Sequence, residues 1–179
     1  MTAIIVAAVI IAIIIIWVIS TSNTLNKAVV KIEEADSGID VALTKRYDVL
    51  TKMIETVKGY AKHEKEVLIE SIKVRKGMTM DEKNKVNSQM TEAFSKLNVV
   101  AENYPELKAS ENFSVLQKSI ADVEEHLQAA RRLYNANISS YNQMIVTFPK
   151  SIIAGFKHLT RKEFFEADEI KKQDVEIKF

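Results

Sequence analysis

Residues 3–57 read AIIVAAVIIAIIIIWVISTSNTLNKAVVKIEEADSGIDVALTKRYDVLTKMIETV, an apolar run that passes without a proline into an amphipathic one. The first part, Ala3 to Ile19, is 17 apolar residues with no charge. Extended from Thr2 to Thr21, it makes about 30 Å of helix, which matches the hydrocarbon core of a bilayer. Trp17 stands at the body-side end, where an indole favours the headgroup boundary. A cleaved signal peptide would carry Lys or Arg ahead of the run and an Ala-x-Ala-like exit; no basic residue precedes this run, and it leaves through Ile19-Ser20-Thr21-Ser22-Asn23. A buried core helix would need equally apolar elements around it, and the chain has no counterpart. Residues 1–22 are therefore expected to be an uncleaved single-pass anchor, with the lipid bilayer as partner of residues 2–21. Lys27 and Lys31 follow the run while nothing basic precedes it, so the positive-inside tendency places the N-terminus outside and the body in the cytoplasm.

In the second part of the stretch, and beyond it, apolar residues recur at spacings of three, four and seven: Leu25, Val29, Ile32, Ile39, Leu43, Leu50, Ile54, Val57, Ala61 and Leu68. That is the pattern of a helix with one buried stripe. The stripe passes through Asp36 and approaches Arg46, Tyr47 and Glu64, so the seam is not purely apolar. The helix is expected to run to about Lys76 and close at Gly77, with Gly59 as a place for a bend. A second helix starts at Thr79, which stands three residues before Glu82 as a capping box requires; Val86, Met90, Ala93, Phe94 and Leu97 mark its buried side. It stops before Tyr104-Pro105, because the residue before a proline avoids helical angles. Ser110 caps a third helix with the stripe Phe113, Leu116, Ile120, Val123, Leu127, Ala130, Tyr134, Ile138, Tyr141 and Ile145, which Phe148-Pro149 ends. A short fourth helix from Lys150 to about Leu159 offers Ile152, Ile153 and Phe156 as its apolar side. The tail, through Phe164-Phe165 to Val175, Ile177 and Phe179, reads as extended. Short connections between long amphipathic helices favour antiparallel neighbours, so residues 23–179 read as a helical bundle continuing from the anchor.

Composition agrees. Four Gly and two Pro in 179 residues disfavour a turn-rich β fold. A balance of 25 Lys plus Arg against 24 Asp plus Glu argues against a nucleic-acid binder. The absence of cysteine excludes disulfides, thiol catalysis and thiolate metal sites. His63, His126 and His158 are scattered, and none has the Glu three residues earlier that a bundle di-iron site uses. With no phosphate loop and no nucleophile elbow either, no enzyme, cofactor, metal or small-molecule ligand is expected.

One constellation stands out. Tyr134-Asn135 recurs as Tyr141-Asn142 seven residues later, so like side chains stack along one helix. Arg131 and Arg132 precede the first pair, and Glu124 lies one heptad before Arg131. On the first helix Asp40, Arg46 and Asp48 gather around Tyr47. These residues either fix bundle register through interhelical hydrogen bonds and ion pairs, or form a recognition surface for a partner.

At these residues the sequence resembles the LemA family of bacterial membrane proteins. The first matching block is Ile39-Asp40-Val41, Lys45-Arg46-Tyr47-Asp48 and Glu55-Thr56-Val57-Lys58-Gly59-Tyr60-Ala61-Lys62-His63-Glu64. The second is Glu102-Asn103-Tyr104-Pro105-Glu106-Leu107-Lys108-Ala109 with Asn112-Phe113 and Leu116-Gln117. The third is Ala130-Arg131-Arg132-Leu133-Tyr134-Asn135 with Tyr141-Asn142 and Phe148-Pro149. One departure is Thr51-Lys52, where the family commonly has Pro-Asn, which removes a kink. The resemblance implies an all-α protein, a transmembrane helix followed by an antiparallel four-helix bundle, and carries over no catalytic residues. The expected role is a non-enzymatic interaction or adaptor module at the bacterial cell membrane, with a protein partner or self-association. The alternative is a self-assembling structural protein that organises or shapes membrane patches, although the anchor lacks a GxxxG face for pairing by itself.

Overall fold

A computed structural model describes residues 1–60 and 72–166, and its regular structure is all helical. In chain order the helices are α1 (Thr2–Tyr60), α2 (Met80–Glu102), α3 (Pro105–Lys108), α4 (Glu111–Val146) and α5 (Lys150–Phe156). They group into two compact units, Met1–Asp36 with Leu133–Phe164 and Ser37–Arg132 with Phe165–Phe179.

The apolar run and the amphipathic stripe form one helix, since no proline interrupts them and Gly38 and Gly59 are both absorbed within α1. Its N-terminal part is long and apolar enough to cross a membrane, and none of its most apolar window is buried. Burial starts abruptly at Thr21 and Leu25, only two and six residues past Ile19, so no spacer separates anchor from packed structure. In the first unit α1 runs antiparallel to the end of α4. Asn137 donates to the Lys31 carbonyl at 3.0 Å, and Met144 lies beside Thr24 in a shallow groove that Ser140, Lys27 and Ala28 also line.

In the second unit α1, α2 and the start of α4 share a core. Ile39, Leu43, Leu50, Met53 and Val57 are fully buried on α1, and Met90, Phe94 and Leu97 of α2 and Phe113, Val123 and Leu127 of α4 are buried in the same unit. Each such side chain contributes about 1.5–3 kcal/mol by leaving water.

Helix ends follow the local chemistry. The Thr79 hydroxyl accepts from Glu82 N at 3.3 Å and the Glu82 carboxylate accepts from Thr79 N at 2.8 Å, completing the capping box. Ser110 Oγ likewise accepts from Phe113 N at 3.3 Å and starts α4. Between the break at Tyr104-Pro105 and the Ser110 cap, Pro105–Lys108 make one extra turn, with proline at its favoured first position. Ile72–Arg75 are not helical, so the first helix ends earlier than Lys76; Gly77, at φ +75°, takes the left-handed conformation of the turn before α2. Ala61, Leu68 and the tail residues Val175, Ile177 and Phe179 lie outside the described residues.

One expectation about the C-terminal part needs correction. Of the proposed apolar side of α5 only Ile153 is buried, joined by Ala154, whereas Ile152 and Phe156 face outward. The short helix is closed by His158 at φ +52°, with His158 N bonding the Gly155 carbonyl and Leu159 N the Ala154 carbonyl, both at 3.0 Å. That is a Schellman motif with histidine in the usual glycine place. Of Phe164-Phe165, only Phe165 is buried.

Candidate functional site

On α1 the buried positions Ile39, Leu43, Leu50, Met53 and Val57 leave one gap in their three-four spacing, and Arg46 fills it. The seam of α2 runs Met90, Phe94, Leu97 and Ala101; extended backwards at the same spacing it meets Asn87 and Lys83, both buried. Three polar side chains, two of them cationic, thus occupy core positions of adjacent helices in the second unit.

A buried cation needs partners from every side, and Arg46 has them. Its Nη1 donates to the Asn87 carbonyl at 2.9 Å and also to Asn87 Oδ1. Its Nη2 donates to Thr91 Oγ1 at 2.8 Å and pairs with Glu124 Oε1 of α4 at 2.5 Å. The guanidinium lies 5.5 Å from the centre of the Phe94 ring, within cation–π range. Only its Nε lacks a partner. Lys83 Nζ, equally buried, sits 2.7 Å from Asp40 Oδ1, off the hydrogen-bonding direction, so this contact is an ion pair rather than a directed bond. Both acids are partly exposed, Glu124 by 30% at its side chain and Asp40 by 38%, so the two buried cations reach outward to carboxylates at the rim.

This arrangement regroups the residues singled out in the sequence. Asp40, Arg46 and Asp48 do not gather around Tyr47: Asp40 serves Lys83, Arg46 serves α2 and α4, Tyr47 is half-buried and Asp48 exposed. Glu124 pairs with Arg46, while Arg131 donates to Gln128 one turn back on its own helix and Arg132 is exposed. Gly59 and Tyr60 end the described part of α1 with both exposed, and His63 and Glu64 lie outside the described residues. Tyr104 and Pro105 form the start of α3. Lys83, Asn87 and Thr91 escaped notice in the sequence, although counting the α2 stripe backwards from Phe94 and Met90 would have reached Asn87 and Lys83.

In the first unit one residue of each Tyr-Asn pair, Tyr134 and Asn142, holds a segment of the chain. Asn142 Nδ2 donates to the Lys162 carbonyl at 3.0 Å and its Oδ1 accepts from Lys162 N at 2.9 Å, a two-point clamp on the chain that follows α5. The Tyr134 hydroxyl donates to the Glu163 carbonyl at 3.2 Å. Burial, and then the carboxylates of Asp36 and Glu163, push the Tyr134 phenol up to about 12. Burial also raises Tyr141. Asn135 is half-buried beside Tyr134, and Phe148 and Pro149 form the exposed turn into α5, joined by a cis peptide bond.

A helix long and apolar enough to cross a membrane, prolonged into an all-helical body with an ionic cluster in its seam, is consistent with a membrane-anchored helical protein. The chain belongs to the LemA family, whose pattern it matches over residues 35–179. It is similar to Protein LemA of Metamycoplasma hominis, with 30% identity over 163 residues that cover 88% of this chain and 74% of that protein. Shorter similarities reach magnetosome protein MamQ of Magnetospirillum gryphiswaldense, 26% identical over 73 residues, and MamQ 1 of Paramagnetospirillum magneticum, 28% over 74 residues. Each of these covers 41% of this chain and 27% of the MamQ protein.

Proposed function

We propose that this chain is a non-enzymatic, single-pass membrane-anchored interaction module whose helical body engages other proteins at the bacterial cell membrane. The observation that carries this reading is the continuity of α1, which prolongs the anchor directly into the packed helices. Confinement to a surface raises the effective concentration of the body for neighbours held there, so weak contacts suffice. Among the described residues, Arg46, Asn87 and Glu124 engage one another and Tyr134 and Asn142 clamp the chain, and exposed helix faces serve as the working surface. Lys27 and Lys31 follow the anchor, so the body lies in the cytoplasm with the N-terminus outside.

The chain has no cysteine, so single cysteines can be placed at will. With cysteines in place of the exposed Lys85 of α2 and Lys118 of α4, crosslinking in intact cells followed by mass spectrometry should recover a discrete non-self membrane or cytoplasmic protein. Adducts only to the chain itself would replace this reading with that of a self-assembling scaffold. Labelling of the same cysteines by an impermeant maleimide in whole cells would overturn the orientation.

A further inference from the structure

The face of the first unit nearest the anchor is apolar and cationic at once, and both properties fit one surface. The antiparallel register sets the levels: Asn137 meets Lys31 and Met144 meets Thr24, so two turns back along α1 match two turns forward along α4. Continued at that register, Phe148 falls level with Ser20, at the end of the apolar run. Lys157 Nζ donates to Asn26 Oδ1 at 2.7 Å, which ties the far end of α5 beside a residue only about 10 Å further along α1. The elbow of residues 147–158 therefore lies within the first 10 Å or so outside the hydrocarbon edge, the depth at which interfacial helices bury their apolar faces.

What the elbow presents suits that depth. Phe148, Ile152 and Phe156 follow one another at steps of four and are 77%, 45% and 80% exposed, while Ile153 and Ala154 on the opposite side are buried. The Schellman closure at His158 fixes where this face ends. Residues 133–162 contain no Asp or Glu but carry Lys150, Lys157, Arg161 and Lys162, and residues 20–32 of α1 likewise carry Lys27 and Lys31 with no acid. Leu133, equally apolar and exposed by 59%, stands at the other end of the same α4 segment, level with Ala35 by the same register.

We propose that residues 147–158 form a second membrane contact, in which Phe148, Ile152 and Phe156 enter the interface of the leaflet the anchor leaves while Lys150 and Lys157 meet anionic headgroups. Two points of attachment, the anchor and this elbow, then fix the tilt of the first unit on the bilayer. The proposal rests on residues 3–19 being the anchor, and its test separates the two.

Spin labels are placed on the full chain through Phe156→Cys, Leu133→Cys and Ile10→Cys, one at a time, in vesicles of phosphatidylcholine and phosphatidylglycerol in equal parts. Collision with oxygen and with a water-soluble nickel chelate is then compared. At position 156 oxygen access is expected to exceed nickel access several-fold, as at 10, whereas 133 shows the reverse. Water-like values at 156 with bilayer-like values at 10 would overturn the elbow contact and leave the anchor standing; water-like values at 10 would overturn the anchor itself. Shielding of 156 from both reagents, with spin–spin broadening that disappears on dilution with unlabelled chain, would assign the face to a second copy instead. In phosphatidylcholine alone the label at 156 should move toward water; an unchanged value would overturn the role of the two lysines.

Discussion

Arg46 is the residue on which the second unit should depend most. Replacing it with alanine removes a guanidinium that bonds Asn87 and Thr91 of α2 and pairs with Glu124 of α4, and opens a gap between Leu43 and Leu50 in an otherwise fully buried seam. Breaking a buried, hydrogen-bonded ion pair from one side costs about 3–5 kcal/mol, because desolvated partners are left behind. For a domain of this size about 1 kcal/mol corresponds to about 2–4 °C, so Arg46→Ala should lower the thermal midpoint by about 6–20 °C. Arg46→Met keeps an unbranched stem in the seam and removes the buried cation, and should recover a good part of that loss. A double-mutant cycle with Glu124→Gln should give a coupling of only about 1–2 kcal/mol, since water competes for a carboxylate that is 30% exposed. Arg131→Ala, which loses only a bond to Gln128 within α4, should stay within about 0.5 kcal/mol of wild type. Circular dichroism of the full chain in mild detergent reads all four. An Arg46→Ala midpoint unchanged while Arg131→Ala falls would refute the assignment of the network.

Further expectations follow from the caps and clamps. Thr79→Ala should destabilise α2 by about 1 kcal/mol, whereas Glu82→Gln should weaken α2 near neutral pH and matter little at acid pH. The sign follows from Glu82, whose carboxyl is held below its ordinary range by the Thr79 N–H and by Arg75: its capping contribution is present above the ordinary carboxylate pKa and fades as pH falls through the lowered one. Asn142→Ala removes both bonds to the Lys162 backbone and should speed tryptic cleavage after Arg161 and Lys162, with little change in global midpoint. Tyr134 keeps its proton in the fold up to about 12 but loses it near 10 when unfolded, so its contribution is complete below about pH 10 and disappears as pH rises toward 12. The alkaline fall in midpoint should therefore be shallower in Tyr134→Phe than in wild type. His158→Gly should stabilise the α5 terminus by about 1 kcal/mol, because glycine takes the left-handed conformation without a Cβ penalty.

Most of what is local or periodic was legible in the chain. The apolar run, the stripe beginning at Leu25, the Thr79 capping box, the Ser110 cap and the breaks at Pro105 and Pro149 each depend on residues within a turn or two of one another, and short-range sterics and hydrogen bonding settle them. The LemA resemblance rests on the same strings of residues. Pairing across helices was not legible, because periodicity says that a residue faces inward without saying which neighbour it meets. Glu124 was therefore matched with Arg131, one heptad away along its own helix, when its partner is Arg46, and Lys83 and Asn87, whose types are mostly exposed, gave no apolar signal on the α2 stripe. The division of α5 was hidden for a related reason: in a helix of 7 residues Ile152, Ile153 and Phe156 can share a side, and only the position of α5 against its own unit decided that Ile153 turns in while Ile152 and Phe156 turn out. Sequence alone determined where the long helices form and that one of them is long and apolar enough to cross a membrane; the tertiary structure decided which buried charges meet and which apolar side chains stay exposed, since both depend on contacts between residues far apart in sequence.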